Sequence, residues 1–195
     1  MNDMDNLSAY GLALLLFFSI SCGQQESQAV KSIPVEEKSE DDIFMQLSRF
    51  LTVEPTTQAE LDQNAIVNYA IDNVLYLERT PSGVFYKVSE SGMGDSIEWA
   101  DYLVADYKGQ LLDGTEFDSS YKKGKPLSFY VGNMIKGWNE ALQMFTVGSK
   151  VTLIIPSHLA YGESGITVGN RTLVPPNAPL LFEINILEKK PTGPN

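Results

Sequence analysis

The sequence predicts an α+β fold with five to six antiparallel strands and one short helix, preceded by a signal segment, a tether and two helices. Two observations lead to this fold class. From residue 83 onward apolar residues alternate with polar ones, which is the period of half-buried strands. Before residue 80 they recur at the spacing of amphipathic helices. Helices and strands that are segregated along the chain are typical of α+β proteins.

The amino terminus has the pattern of a secretion signal. Residues 11–20 form an apolar run, shorter than the roughly 20 residues that a bilayer-spanning helix needs and typical of the apolar part of a signal peptide. Cys22, the only cysteine, follows the small residues Ser19 and Ser21 directly after this run. This arrangement resembles the cleavage box of bacterial lipoproteins, in which the cysteine carries the lipid.

The resemblance to lipoproteins implies a signal peptide at residues 1–21, lipid attachment at Cys22 and a lipid-anchored flexible tether at residues 22–42. Lipid chains anchor a protein because each buried CH₂ contributes about 0.8 kcal/mol. The expected location is therefore a membrane, facing the periplasm or the cell surface, with the outer membrane favoured. Asp3 and Asp5 depart from the usual basic start of a signal. The alternative is a buried cysteine that ends a short core helix.

Residues 43–79 predict a helical pre-domain of two helices. The first begins near Ser39, and the second begins at the T-x-x-E capping box of residues 57–60 and continues to about Glu78. Their apolar faces consist of Ile43, Phe44, Leu47, Phe50 and Leu51 in the first helix and of Ile66, Tyr69, Ala70, Val74 and Leu77 in the second. These faces must be covered, and packing within the chain is favoured over a homodimer through residues 43–79.

Residues 80–190 predict the strand-rich domain, with residues 191–195 as a tail. Alternating or β-branched runs indicate strands at 84–88, 102–111, 115–119, 127–131, 150–155 and 180–187. Asp113-Gly114 is typical of a hairpin turn. Residues 135–145 have helical spacing, and a long glycine-containing loop is expected between residues 156 and 179.

Composition excludes several classes of function. The 195 residues include 14 basic and 25 acidic ones, so the net charge is −11 and the phosphate backbone of a nucleic acid would be repelled. One cysteine excludes an internal disulfide and a metal site built from thiolates, and one histidine excludes a multi-histidine cluster. No nucleic-acid partner and no metal are therefore expected.

Several short motifs follow one another through the second half of the chain. In chain order they are Y-K-G at 107–109, D-G-T-E-F-D-S-S at 113–120, V-G at 131–132, I-K-G-W at 135–138, A-Y-G at 160–162, V-P-P-N at 174–177 and L-L-F-E at 180–183. This series resembles the FK506-binding-protein (FKBP) family of peptidyl-prolyl isomerases over residues 83–189. The resemblance implies a curved antiparallel sheet wrapped around one short helix, with an apolar pocket between them.

The reaction of that family is rotation about an X–Pro peptide bond, whose barrier is about 18–20 kcal/mol because of amide resonance. No covalent bond is broken, so the resemblance implies no nucleophile, no metal and no cofactor. A dry pocket favours the twisted amide, because water stabilises the planar form more than the twisted one. A ten-thousand-fold acceleration needs only about 5.4 kcal/mol.

The resemblance also assigns residues to the site. Four are expected to act in catalysis: Trp138 as the pocket floor, Tyr161 as a donor to the amide carbonyl, Asp118 as a polar group at the edge, and Phe182 in the wall. Substrate binding is expected from Tyr107, Phe117, Phe129, Met134, Ile135 and Val174. Taken singly, each aromatic side chain fits ordinary core packing equally well, so the prediction depends on the whole set.

The leading hypothesis is a membrane-tethered isomerase that assists the folding of proteins outside the cytoplasm, since unaided X–Pro isomerisation is slow enough to limit folding. Its expected partners are proline-containing polypeptides, with FK506-like macrolides as inhibitors. The second hypothesis is a binding module or chaperone that has the fold without the catalysis. An FKBP-type lipoprotein of gliding bacteria has a similar layout, so a role in motility also stays open.

Overall fold

The computed structural model describes residues 38–191. The predicted signal peptide (1–21), Cys22 and most of the predicted tether lie outside the described residues, as do residues 192–195. Between residues 38 and 191, no helix combines the length and apolar character needed to cross a bilayer. These residues belong to one compact unit, in which helices and strands share two cores.

Four α-helices and nine strands make up the described part of the chain. The helices are α1 (Glu40–Ser48), α2 (Gln58–Asp72), α3 (Ser120–Lys123) and α4 (Lys136–Ala141). The strands are β1 (Glu78–Arg79), β2 (Phe85–Glu90), β3 (Tyr102–Leu111), β4 (Glu116–Ser119), β5 (Leu127–Tyr130), β6 (Lys150–Ile155), β7 (Ile166–Val168), β8 (Arg171–Val174) and β9 (Leu180–Lys190). Single turns of 3₁₀ helix lie at Leu142–Met144, Ser157–Leu159 and Gly162–Ser164.

The main sheet is antiparallel, with the strand order β1-β2-β6-β9-β3-β4, and β5 also pairs with β3. One edge of β3 is shared, because its first half pairs with β5 and its second half with β4. Ser120 fills the break between them: its Oγ accepts a hydrogen bond from the backbone N of Tyr107 (3.0 Å) and donates one to Asp106 Oδ1 (2.7 Å). A side chain thus satisfies the backbone where the ladder is interrupted.

The two faces of the sheet are both covered. α4 packs on one face and forms the first core with alternate residues of the strands, such as Leu103 and Ala105 of β3. α1 and α2 pack on the other face and form the second core, where Phe85, Ile154 and Leu181 lie side by side across β2, β6 and β9. Both faces are buried where β6 and β9 run side by side at 153–155 and 180–182, and there the two sequences are uninterrupted apolar triplets, L-I-I and L-L-F.

The α+β fold class is confirmed, and so is the packing of the two front helices within the chain. In α1 the covered face is narrower than predicted, since Ile43 and Leu47 are buried whereas Phe44 is half exposed. Leu51 is also exposed, because α1 ends at Ser48. A homodimer through residues 43–79 stays a prediction.

The second helix is shorter than predicted, because α2 ends at Asp72 rather than near Glu78. The Asn73 side chain donates a hydrogen bond to the backbone O of Tyr69 (2.8 Å) and competes with continuation of the helix. Val74 then takes a positive φ of 54° and is exposed, so it does not belong to the buried face. Leu77 is buried, but outside the helix.

The number of strands was also predicted too low. Within residues 38–191 the main sheet has seven strands rather than five to six, since Glu78–Arg79 pairs as β1 where the second helix was expected to continue. β7 and β8 form a separate hairpin inside the segment predicted as a loop. The predicted helix at 135–145 is divided into α4 and a 3₁₀ turn, and α3 was not predicted.

A core substitution in α2 tests whether helices and sheet unfold together. Ile66 is fully buried in the second core, whereas Leu61 of the same helix is half exposed. Ile66→Ala should lower the free energy of unfolding by about 2–4 kcal/mol because it leaves a cavity. The control Leu61→Ala should cost less than about 1 kcal/mol. Urea unfolding is followed by circular dichroism and by tryptophan fluorescence, and both signals should shift together. If only the circular-dichroism transition shifted, the helices would unfold separately from the sheet, which would contradict a shared core.

Candidate active site

The site is built around the indole of Trp138, which is almost fully buried. Three rings meet it edge to face, with centroid distances of 5.5 Å for Tyr107, 5.5 Å for Phe129 and 5.2 Å for Phe182. Phe117 extends the cluster by meeting Phe182 at 5.7 Å. Such contacts are favourable because the positive edge of one ring faces the negative face of another. The indole Nε1 has no hydrogen-bond partner within residues 38–191, so burial and ring contacts hold Trp138 in place.

Two glycines allow this cluster to form. At Gly137 of α4, a Cβ atom would lie 2.5 Å from Cγ2 of Ile155, so the helix can cross β6 closely only with glycine there. At Gly109 of β3, a Cβ atom would lie 2.8 Å from the ring of Phe117 and 2.9 Å from that of Phe182. Gly137 therefore removes a steric conflict between α4 and β6, and Gly109 removes one inside the aromatic cluster.

Asn139 fixes the segment that leads into α4. It is buried, and its Oδ1 accepts hydrogen bonds from the backbone N of Gly132 (2.8 Å) and of Met134 (3.2 Å). Its Nδ2 donates to the backbone O of Met134 (2.7 Å). Met134 and Ile135, two predicted substrate-binding residues, are half-buried and pack against the first core. The side-chain amide of Asn139 thus holds the backbone segment that carries Met134 and Ile135 in place.

A polar network lies beside the aromatic cluster. The Tyr107 hydroxyl donates a hydrogen bond to Asp118 Oδ2 (2.5 Å), and Lys123 Nζ pairs with Asp118 Oδ1 (2.5 Å). Lys123 Nζ also donates to the Tyr107 hydroxyl (3.1 Å). The tyrosine therefore belongs both to the ring cluster and to the network, and it connects Asp118 to Trp138.

This network fixes the charges at the edge of the site. Burial disfavours ionised Asp118, but hydrogen bonds from Lys123 and Tyr107 outweigh it and hold the pKa of Asp118 below its ordinary value. The pKa of Lys123 is raised because its ammonium group donates to Asp118 and then to Tyr107. Burial and the hydrogen bond to Asp118 raise the pKa of Tyr107. At neutral pH the edge therefore holds a carboxylate, an ammonium group and a neutral phenol.

Tyr161 lies between the 3₁₀ turns at 157–159 and 162–164, and its half-buried side chain packs against the first core. Burial raises the pKa of Tyr161, and the nearby Asp118 carboxylate raises it further against the effect of Lys123. Its hydroxyl therefore keeps its proton at neutral pH and can donate a hydrogen bond.

The structure brings the ten predicted site residues that it describes into one region. The buried members of the first core among them are Tyr107, Phe129, Trp138, Val174 and Phe182. Phe117, Met134, Ile135 and Tyr161 pack against that core. Asp118 joins them through the Tyr107 hydroxyl. Cys22, the predicted lipid attachment residue, lies outside the described residues.

Sequence reasoning missed three residues that shape the region: Lys123, Asn139 and Ser120. Lys123 precedes Gly124, whose positive φ of 69° ends α3, and a basic residue before glycine is a signal of a helix end. Asn139 lies inside a predicted helix, and the sequence holds no signal that its amide reaches back to Met134. Ser120 accepts a backbone hydrogen bond at the break between β4 and β5. This role can be inferred only when the strand pairing is known.

Comparison with known proteins agrees with the family resemblance that the sequence motifs indicate. A family model described as FKBP-type peptidyl-prolyl cis-trans isomerase matches residues 94–187, a range that includes all ten described site residues. The FKBP-type peptidyl-prolyl cis-trans isomerase FkpA of Escherichia coli (strain K12) is 36% identical over 179 residues, covering 87% of this chain and 63% of that protein. This chain thus spans somewhat less than two thirds of the length of that curated relative.

Two solved structures are also similar to this chain. The crystal structure of FkpA from Escherichia coli has a TM-score of 0.57 and 31% identity, covering 80% of this chain and 76% of that chain. The structure of a peptidyl-prolyl cis-trans isomerase from Pseudomonas syringae pv. tomato has a TM-score of 0.58 and 29% identity, covering 72% of this chain and 99% of that chain.

Removing Lys123 tests the polar network. Lys123→Met should raise the pKa of Asp118, because the ammonium group that favours the carboxylate is lost. The measurement is a carbon-detected NMR titration of the Asp118 carboxyl group. The control is Lys122→Met, whose partner is Glu116 (3.0 Å). An unchanged pKa of Asp118 in Lys123→Met would contradict the pairing.

The same pair predicts a dependence of stability on pH. Since the folded-state pKa of Asp118 is lowered, its contribution is present above the ordinary pKa of 3.8 and is lost as the pH falls through the folded value. Lys123→Met should therefore cost more stability at pH 7 than at a pH below the folded-state pKa of Asp118, and less than about 1 kcal/mol because the pair is partly exposed.

Proposed function

Because this chain belongs to the FKBP-type peptidyl-prolyl cis-trans isomerase family, we propose that it accelerates rotation about X–Pro peptide bonds. The observation that carries the proposal is the convergence of Tyr107, Phe129 and Phe182 on Trp138, beside the Asp118 network. An aromatic surface of this kind can take a prolyl ring out of water. No metal and no cofactor enter the proposal, since bond rotation needs neither.

Catalysis in this proposal consists of favouring the twisted amide over its planar forms. Transfer of the amide to a dry aromatic surface weakens the hydration that stabilises the planar, charge-separated form. Each 1.36 kcal/mol of preference for the twisted form gives a tenfold acceleration. A few kcal/mol from desolvation and one or two hydrogen bonds are therefore enough.

We assign the donor role to Tyr161, which retains its proton at neutral pH, since burial and Asp118 raise its pKa further above the ordinary value of 10.0. Its hydroxyl would donate a hydrogen bond to the carbonyl of the rotating amide. Ile135 and Val174 would bind neighbouring substrate carbonyls through their backbone N–H groups, with Met134 and Phe117 as further apolar contacts.

Asp118 has a different role in the proposal, because its carboxylate already accepts hydrogen bonds from Tyr107 and Lys123. It keeps the Tyr107 hydroxyl at the edge of the aromatic surface. It also supplies negative charge there, and its remaining lone pairs can accept a hydrogen bond from a substrate N–H group.

We further propose that the chain acts outside the cytoplasm as a lipoprotein anchored through Cys22, and that its clients are folding polypeptides with slow X–Pro bonds. The support is the apolar run at residues 11–20 followed by the only cysteine of the chain. The polar residues 23–39 would act as a tether between the lipid and the helices, with a span of about 23 Å, since the last three residues of the predicted tether, 40–42, belong to α1.

An isomerisation assay tests the activity. The full chain should accelerate the cis-to-trans conversion of a short peptide with one X–Pro bond, at low temperature where the uncatalysed reaction takes minutes. FK506 should abolish the acceleration. A folded chain without activity would overturn the proposal and favour a binding module or chaperone.

In the same assay, Tyr161→Phe tests the donor. Loss of one neutral hydrogen bond of about 1 kcal/mol should lower kcat/KM roughly fivefold and leave the fold intact. The matched control is Tyr76→Phe, since Tyr76 packs against the second core on the opposite face of the sheet. Unchanged turnover in Tyr161→Phe would remove this hydroxyl from the mechanism.

The lipid anchor is tested by Cys22→Ser expressed in a bacterial host. The substituted chain should move from the membrane fraction to the soluble fraction after cell disruption, because the thioether lipid can no longer form. Metabolic labelling with a palmitate analogue should mark the parent chain only. Membrane association that persists in Cys22→Ser would contradict lipid attachment at this residue.

A further inference from the structure

Asp62 is a buried acidic residue of α2, the helix that covers the face of the sheet opposite α4. Its side chain is almost fully buried, at 1% exposed. Its carboxylate accepts hydrogen bonds from the backbone N of Ser157 (2.7 Å), from Ser157 Oγ (2.6 Å) and from Gln58 Nε2 (2.7 Å). Burying a carboxylate is costly unless donors surround it, so these three contacts explain how the residue is tolerated there. They do not explain why a carboxylate is there at all.

The turn that Asp62 contacts has no cap of its own. Ser157 begins the 3₁₀ turn Ser157–Leu159, and the preceding residue, Pro156, offers no side-chain acceptor. The first N–H groups of a helical turn have no partner inside it and need an acceptor from elsewhere. Asp62 supplies that acceptor from 95 positions away in the chain.

The capped turn leads directly to Tyr161. The backbone N of Ala160 donates a hydrogen bond to the backbone O of Ser157 (2.9 Å), so the position of Ser157 fixes that of Ala160. Tyr161 follows, and its half-buried side chain reaches the first core. The Tyr161 backbone is therefore held from one side by a helix that itself belongs to the second core.

We propose that Asp62 is a positioning residue, which caps the turn at Ser157 and thereby holds the Tyr161 hydroxyl where it serves the rotating amide. This inference rests on the proposed function. The family model begins at residue 94, so the cap comes from a part of the chain outside the matched range. The front helices then contribute to the site as well as covering the sheet.

Substitution of Asp62 in the full chain tests the proposal. Asp62→Ala should lower kcat/KM by about the same factor as Tyr161→Phe, roughly fivefold. Asp62→Asn should stay within about twofold of the parent chain, because its amide oxygen can still accept from Ser157 while its NH₂ group donates to a rotated Gln58 amide. The control is Asp72→Ala, an exposed aspartate in the same helix.

A double substitution separates positioning from general loss of stability. In the Tyr161→Phe background, Asp62→Ala should lower kcat/KM by less than about twofold further, since the group that it positions is already gone. Full additivity of the two effects would overturn the proposal, and so would parent-like activity of a folded Asp62→Ala chain. Should Asp62→Ala fail to fold, Ser157→Ala takes its place, because it removes one of the two Ser157 contacts.

Amide hydrogen exchange gives a readout that does not depend on activity. Asp62→Ala should speed exchange at Ala160, whereas amides of β3 should exchange as in the parent chain. Unchanged exchange at Ala160 would overturn the inference by itself. A parent chain that is inactive, but whose Ala160 amide is protected through Asp62, would overturn the proposed function and with it the catalytic purpose of the cap.

Discussion

The rest of the structure depends on the burial of Trp138 where α4 crosses the sheet. One indole contacts rings from β3, β5 and β9, so it joins three strands to the helix. Removing a side chain of this size from a core typically costs about 3–5 kcal/mol, a large part of the about 5–15 kcal/mol that keeps a domain folded. Gly137 is required for the crossing, and Gly109 lets the surrounding rings meet. The contacts that stabilise the fold are therefore the same ones that form the apolar surface of the site.

Two-sided burial of the central strands follows from this arrangement. A sheet with one helix on one face leaves its other face to be covered, and here α1 and α2 cover the row formed by Phe85, Ile154 and Leu181. β6 contributes side chains to both cores. Because these side chains are closely packed, a displacement of α1 and α2 would be transmitted through β6 to α4, and the reverse. The front helices are thus part of the structure that supports the site.

The sequence predicts well what depends on apolar periodicity. β3 and β6 have their predicted bounds, and the motif residues from Tyr107 to Phe182 come together. The errors at the end of α2 and at β1 concern hydrogen bonds. Asn73 ends α2 with an amide that captures a backbone carbonyl, and β1 exists only because Glu78–Arg79 can pair with β2. Such hydrogen bonds join particular atoms and produce no periodic pattern in the sequence, whereas hydrophobic burial produces one.

The same distinction explains how the site is held together. Rings fix one another through many contacts that are each worth only about 0.1–0.2 kcal/mol, so the loss of any single contact costs little. In the proposed mechanism the Tyr161 hydroxyl must meet a rotating carbonyl and has no such tolerance, because displacement by about 1 Å would remove most of its effect. Directional polar contacts are accordingly found where backbone leaves the sheet: Ser120 at the break in the β3 edge, Asn139 before α4, and Asp62 at the turn before Tyr161. In each case a side chain takes over a backbone hydrogen bond that regular structure no longer supplies. The aromatic surface thus needs only burial, whereas the polar groups around it need these contacts to stay in place.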